Sequence, residues 1–143
     1  MAAASAHCLP LRAGAEHSVA ATKTFVISVL AGLALLAEWQ EDDALRDAVA
    51  GLPDALAQAV ALDWGPLSNR LARAPSAFVL GRGPGFAIAS EAALKFKETS
   101  GVHAEAYSAA EVLHGPSAIV QAGFPVLALG VQDAALPQLV ATV

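Results

Sequence analysis

The chain has 143 residues, is 56% hydrophobic and 15% charged, and carries a formal net charge of -5. That balance excludes an intrinsically disordered segment, which needs low hydrophobicity and high net charge. Scattered basic residues and an acidic balance leave no electrostatic footprint for nucleic acid.

Residues 7–11, "HCLPL", read as the end of a short strand, and "RAGAEHS" as a turn leading into a helix, with Ser18 or Glu16 as cap. The helix is expected over Val19 to Glu38. Its apolar stretch, "FVISVLAGLALLA", is 13 residues long, short of the ~20 that span a bilayer. It begins too far from the N-terminus, behind too few basic residues, for a secretory leader. Apolar nearly all round, it reads as a buried or interface helix, and no membrane partner is expected.

Acidic residues 41–43 start a second helix, favoured at its positive end, which is expected to run to about Gly51. Pro53 is expected to open a third, ending near Trp64, and "GPLSNRLARA" a short one before Pro75.

The pattern then changes. "AFVLG", Ala77 to Gly81, is a short apolar β run followed by the glycine turn "GRGPG". A helix is expected over Phe86 to Ser100, ended by Gly101, then a strand in "VHAEAY", a helical turn in "SAAEVLHG", a strand at Pro125 to Gly130 and a last helix in "DAALPQLVATV". Short apolar strands alternating with helices predict an α/β fold with a parallel sheet.

Two motif readings fail. The glycine turn lacks the sixth-position glycine of the dinucleotide fingerprint, where Phe86 stands, and no Lys-Ser/Thr pair completes a phosphate loop. What remains is a strand, a glycine turn and a helix start at Gly81, Arg82 and Gly83, an arrangement that favours ligands near free N–H groups. The single cysteine, Cys8, supports neither a disulfide framework nor a zinc site and reads as a buried small hydrophobe in a reducing, cytoplasmic setting. His103 and His114 lack metal-binding spacing, so neither metal nor organic cofactor is expected.

The titratable residues concentrate instead in "EAALKFKETSGVHAEAYSAAEVLHGP", where 26 residues hold four glutamates, two lysines and two histidines. Glu91, Lys95 and Glu98 follow at i, i+4 and i+7 and share one helix face. Such a face is either a solvated ion-pair stripe or a poised acid–base group beside a lysine, with Ala92, Leu94 and Phe96 packing on a sheet behind it.

This stretch, following "FVLGRG", resembles the sugar isomerase (SIS) domain family, above all the isomerase part of glucosamine-6-phosphate synthase (glutamine–fructose-6-phosphate aminotransferase) and the SIS-type glucosamine-6-phosphate deaminases. "AGAEHSVAATKTF", residues 13–25, is similar to the segment that closes the first SIS domain of those proteins. "EHSVAATKTF" and "ETSGVHAEAYSAAEVLHGP" lean toward the deaminase branch, while Ala21 and Ala15 stand where serine and proline are usual in the synthases.

The resemblance implies a three-layer αβα parallel sheet, here the tail of a first SIS domain (1–40), a helical connection (41–76) and the first part of a second SIS domain (77–143). It implies that Glu98 shuttles a proton between C1 and C2 of the sugar and that Glu91 and Lys95 support it. His114 would open the hexose ring from the neighbouring subunit of a homodimer, a task suited to imidazole at neutral pH. An apolar cleft would bring the pKa of Glu98 toward working pH. Val19, Ala20 and Ala21 would line the sugar with their main chain, beside Gly81, Arg82 and Gly83.

The expected function is interconversion or deamination of amino-sugar 6-phosphates, with glucosamine 6-phosphate and fructose 6-phosphate as substrates. The alternatives are the isomerase half of a glutamine-dependent aminotransferase, a non-catalytic phosphosugar-binding regulator, or a remnant. The family's Ser/Thr-rich phosphate loop, its C-terminal lysine segment and any glutaminase domain are expected to lie outside these 143 residues, so that the chain alone would be inactive.

Overall fold

The structure is a computed structural model that describes residues 2–143. The chain divides into two compact units, 1–62 and 63–143, and each is described by itself.

The first unit is a helical hairpin behind an irregular lead. A short 3-10 turn, Ala2–Ala4, is followed by bends and irregular backbone up to Thr22. The strand expected at residues 7–11 does not form: residues 7–10 are exposed with no sheet partner, so Cys8, expected to be buried, is exposed because no layer packs over it. Helix α1 spans Lys23–Gln40, four residues later than expected, because residues 17–22 close a loop instead of coiling. Its turn to the next helix uses Glu41 in the left-handed conformation, with φ 53°.

Helix α2 spans Asp43–Val60, its N-terminus capped by the Asp42 side chain, which accepts from the Leu45 N–H at 3.0 Å. The break expected at Pro53 is absent, and the two predicted helices are one 18-residue helix with Pro53 inside. The missing N–H removes one helical bond, and the turns on either side carry the helix through. Arg46 on α2 bridges back to Glu38 on α1, donating from Nη2 at 3.0 Å, and also pairs with Asp43 at 2.7 Å.

Within its own unit α1 is mostly uncovered. Only Ala37 is buried, while Val29, Leu33, Leu35, Leu36 and Trp39 are exposed, Trp39 at 82%. By length and composition alone α1 is apolar enough to cross a membrane.

The second unit opens with α3, Gly65–Leu71, and a parallel three-stranded sheet. Strand β1 spans Ser76–Gly81, helix α4 Pro84–Ser100, strand β2 His103–Ser108, strand β3 Val126–Ala128 and helix α5 Leu136–Thr142. Two 3-10 turns, Val112–His114 and Pro116–Ile119, lie between β2 and β3. The order is β2-β1-β3, with Val79 opposite Ala106 on one side and Leu127 on the other.

Helices cover both faces. Val79 and Ala104 pack on Ala89 and Ala93 of α4, while Phe78 and Leu80 pack with Ala109, Val112 and Leu139 of α5. Phe78 meets the edges of Tyr107 and Phe124 at 4.8 and 4.9 Å between ring centres. Phe78 and Val79 are fully buried, and burying each side chain contributes about 1.5–3 kcal/mol. On α4 the sheet-facing residues are Ala89, Ala93 and Phe96, and Leu94, expected to pack, is exposed.

Candidate active site

Helix α4 begins at Pro84, whose fixed φ suits a first helical position, and ends at Gly101 in the left-handed conformation. Its sheet-facing side is built from alanines, so the backbone lies close to β1. The other side displays Glu91, Lys95 and Glu98. The Lys95 ammonium lies 3.2 Å from Glu91 Oε1 and 2.7 Å from Glu98 Oε2. The three side chains are 20%, 23% and 28% exposed. The Glu98 carboxylate accepts a hydrogen bond from the Lys95 ammonium.

The hydrogen bond to Glu98, then desolvation and the bond to Glu91, act on Lys95, and their balance raises its pKa. Lys95 therefore stays charged at neutral pH. A cationic amine is not a nucleophile, so this geometry does not suit Schiff-base chemistry at Lys95. It suits electrostatic support of whatever Glu91 and Glu98 do.

The other predicted residues fall into separate groups. Gly81, Arg82 and Gly83 form the turn at the C-terminal end of β1, where open parallel sheets bind ligands. From Gly83 to Glu98 the helical rise covers about 22 Å, so one monosaccharide does not reach from that turn to Glu98 within this chain. His114 is exposed at the end of the first 3-10 turn, and no hydrogen bond or ion pair joins it to the α4 cluster among the described residues. Val19, Ala20 and Ala21 lie in the other unit, in the loop before α1, with Val19 97% exposed.

A cleft of the second unit, about 630 Å³, is lined by Leu67, Leu71, Phe96, Val102, Leu127 and Leu129 among others. Its apolar wall lacks the charged donors that a phosphate dianion needs, and it contains none of the α4 carboxylates. Sequence reasoning passed over two polar contacts. The Tyr107 hydroxyl donates to Glu105 at 2.7 Å, two residues apart on one strand face. Glu16, foreseen only as a local cap, bonds to Thr24 across eight residues.

Fold and cluster together define an α/β protein with an open parallel sheet and a Glu–Lys–Glu ion-pair cluster on the helix after its central strand. The chain belongs to the SIS domain family, whose match covers residues 70–141. It is 41% identical over 137 residues to a glutamine–fructose-6-phosphate aminotransferase (isomerizing) of Aeropyrum pernix, an alignment covering 87% of this chain and 22% of that protein. The counterpart from Bordetella pertussis is also 41% identical, over 90% of this chain and 23% of its own length. The chain thus spans about a fifth of the length of these curated relatives.

Among solved structures, a proposed phosphosugar isomerase from Silicibacter pomeroyi matches with a TM-score of 0.92 and 55% identity, over 99% of this chain and 43% of the other. The C-terminal domain of glucosamine-fructose-6-phosphate aminotransferase from Francisella tularensis matches with a TM-score of 0.74 and 31% identity, over 92% and 40%.

Proposed function

We propose that this chain forms part of a phosphosugar aldose–ketose isomerase acting on fructose 6-phosphate and glucosamine 6-phosphate. The observation that carries the reading is the Glu91–Lys95–Glu98 cluster, which puts two carboxylates around one cation on the helix following the central strand. The names of the relatives supply the sugar.

In this reading Glu98 takes the proton from C1 of the ketose and returns it to C2, while the hydroxyl proton moves from O1 to O2. Lys95 keeps Glu98 oriented and offsets negative charge on the enediolate. His114 opens the ring from the second subunit of a homodimer. The bare apolar residues of α1, Val29, Leu33, Leu35 and Trp39, support association, because monomers rarely leave contiguous patches of that kind uncovered. The exposed thiol of Cys8 fits a reducing, cytoplasmic setting.

The test, in the full-length parent protein, is deuterium wash-in from solvent at C1 of fructose 6-phosphate. Glu98→Gln should slow exchange by a factor of about 10² to 10⁴, the usual loss for a general base, with sugar binding retained. Exchange within a few-fold of the parent would remove Glu98 from this role. Tight sugar binding without any exchange in the parent would favour a regulatory binding module. Ammonia release from glucosamine 6-phosphate separates deaminase from simple isomerase.

A further inference from the structure

The loop between residues 15 and 24 is closed at its neck by two contacts. Glu16 Oε2 accepts from the Thr24 N–H at 2.9 Å and from the Thr24 hydroxyl at 2.8 Å. Beside it, Lys23 Nζ donates to the Ala15 carbonyl at 2.6 Å and lies 4.0 Å from Glu16 Oε1. The position before α1 belongs to Thr22, whose side chain makes no capping bond there and donates to the Ala20 carbonyl at 3.2 Å. A carboxylate eight residues upstream thus does the work of the missing cap and ties off the intervening loop.

The clasp fixes the ends of a segment that little else holds. Inside it the Ala21 N–H donates to the Val19 carbonyl at 2.9 Å. Residues 17–19 are exposed, so burial does not order the segment. Both bonds from Thr24 lower the Glu16 pKa, main-chain bond first, so the group is an acceptor-only carboxylate at neutral pH.

We infer that Glu16 is a positioning residue, whose clasp on Thr24 holds the Val19–Ala21 main chain in the shape that receives the sugar. The inference rests on the reading that these three residues line the phosphosugar site. Glu16 itself touches no substrate. Its effect passes through the loop, by keeping 17–22 from fraying away from the start of α1.

The experiment follows residue-resolved amide exchange and fructose 6-phosphate affinity in the parent protein and in Glu16→Ala, Glu16→Gln and Thr24→Val. In Glu16→Ala the Thr24 amide should exchange about tenfold faster, as for a lost N-cap. Sugar affinity should fall by a similar factor, with exchange in the interior of α1 unchanged. Glu16→Gln keeps an acceptor oxygen and should recover most of both losses. Thr24→Val removes only the hydroxyl and should fall between, which also covers the case in which Glu16→Ala does not fold.

An undisturbed Thr24 amide in Glu16→Ala, or parental behaviour of Thr24→Val in both readouts, would overturn the clasp. Deprotection of Thr24 with unchanged affinity would overturn the positioning role while leaving the sugar reading intact. Failure of fructose 6-phosphate to slow exchange at residues 17–22 of the parent would remove those residues from the sugar site, and the inference with them.

Discussion

Lys95 sits between two carboxylates, and all three groups are partly solvated. Pairs of this exposure contribute modestly to stability, so their spacing matters more for holding Glu98 in one place than for folding. The charge states still leave a trace at high pH. The pKa of Lys95 is raised above its ordinary 10.5, first by the bond to Glu98. Its stabilisation is therefore fully present below that value and is lost as pH rises through the folded-state pKa. Tyr107, raised above 10.0 chiefly by its bond to Glu105, acts in the same direction. Thermal melts from about pH 9 to 12 should show a decline that Lys95→Met and Tyr107→Phe each reduce in part. A slope unchanged by Lys95→Met would mean that the cluster is not formed in solution.

Among the elements, the β1–α4 turn is the tightest join. A Cβ on Gly81 would overlap the carbonyl of Gly85, 2.6 Å from its carbon and 2.8 Å from the Phe86 Cα. Backbone atoms have no rotamer to move aside, so Gly81→Ala should cost about 3 kcal/mol, at the upper end of the usual overpacking range. Gly101 ends the same helix at φ +66° with open space around it, and Gly101→Ala should cost only about 1 kcal/mol of left-handed strain. Urea unfolding of the two variants compares them directly, and equal losses would show that the turn relaxes. Such glycines were legible as punctuation in the sequence. The clash that makes Gly81 the more demanding of the two was not, because it depends on how closely α4 returns over the end of β1.

At the scale of the whole molecule, a shared site predicts complementation. Glu98→Gln and His114→Ala proteins, each inactive alone, should regain part of the parental activity when mixed, since some mixed dimers carry one intact pair. Confirmed subunit exchange without recovery would place both groups in one subunit. Helix α1 would join the interface, and its bare Leu35 and Trp39 should lose solvent exposure on association.

Much of this protein follows from local pattern. The apolar run Ala77–Gly81, the helix ended by Gly101 and the i, i+4, i+7 spacing of Glu91, Lys95 and Glu98 are encoded in neighbouring residues, and so is the match to the SIS family. Where local pattern misled, longer-range contacts had decided. Residues 7–11 have strand-like composition but gain no ladder partner in the described chain, and unpaired extended backbone is not a strand. Pro53 marks a helix start by local preference, yet α2 runs through it, losing a single main-chain bond while the flanking turns retain theirs. Glu16 reaches across eight residues to Thr24, and the start of α1 shifts with it. Spacing alone brings Lys95 to both carboxylates, because one helix carries all three. The close return of α4 over Gly81 and the clasp at Glu16 are set by where the chain runs in space, which no local pattern states.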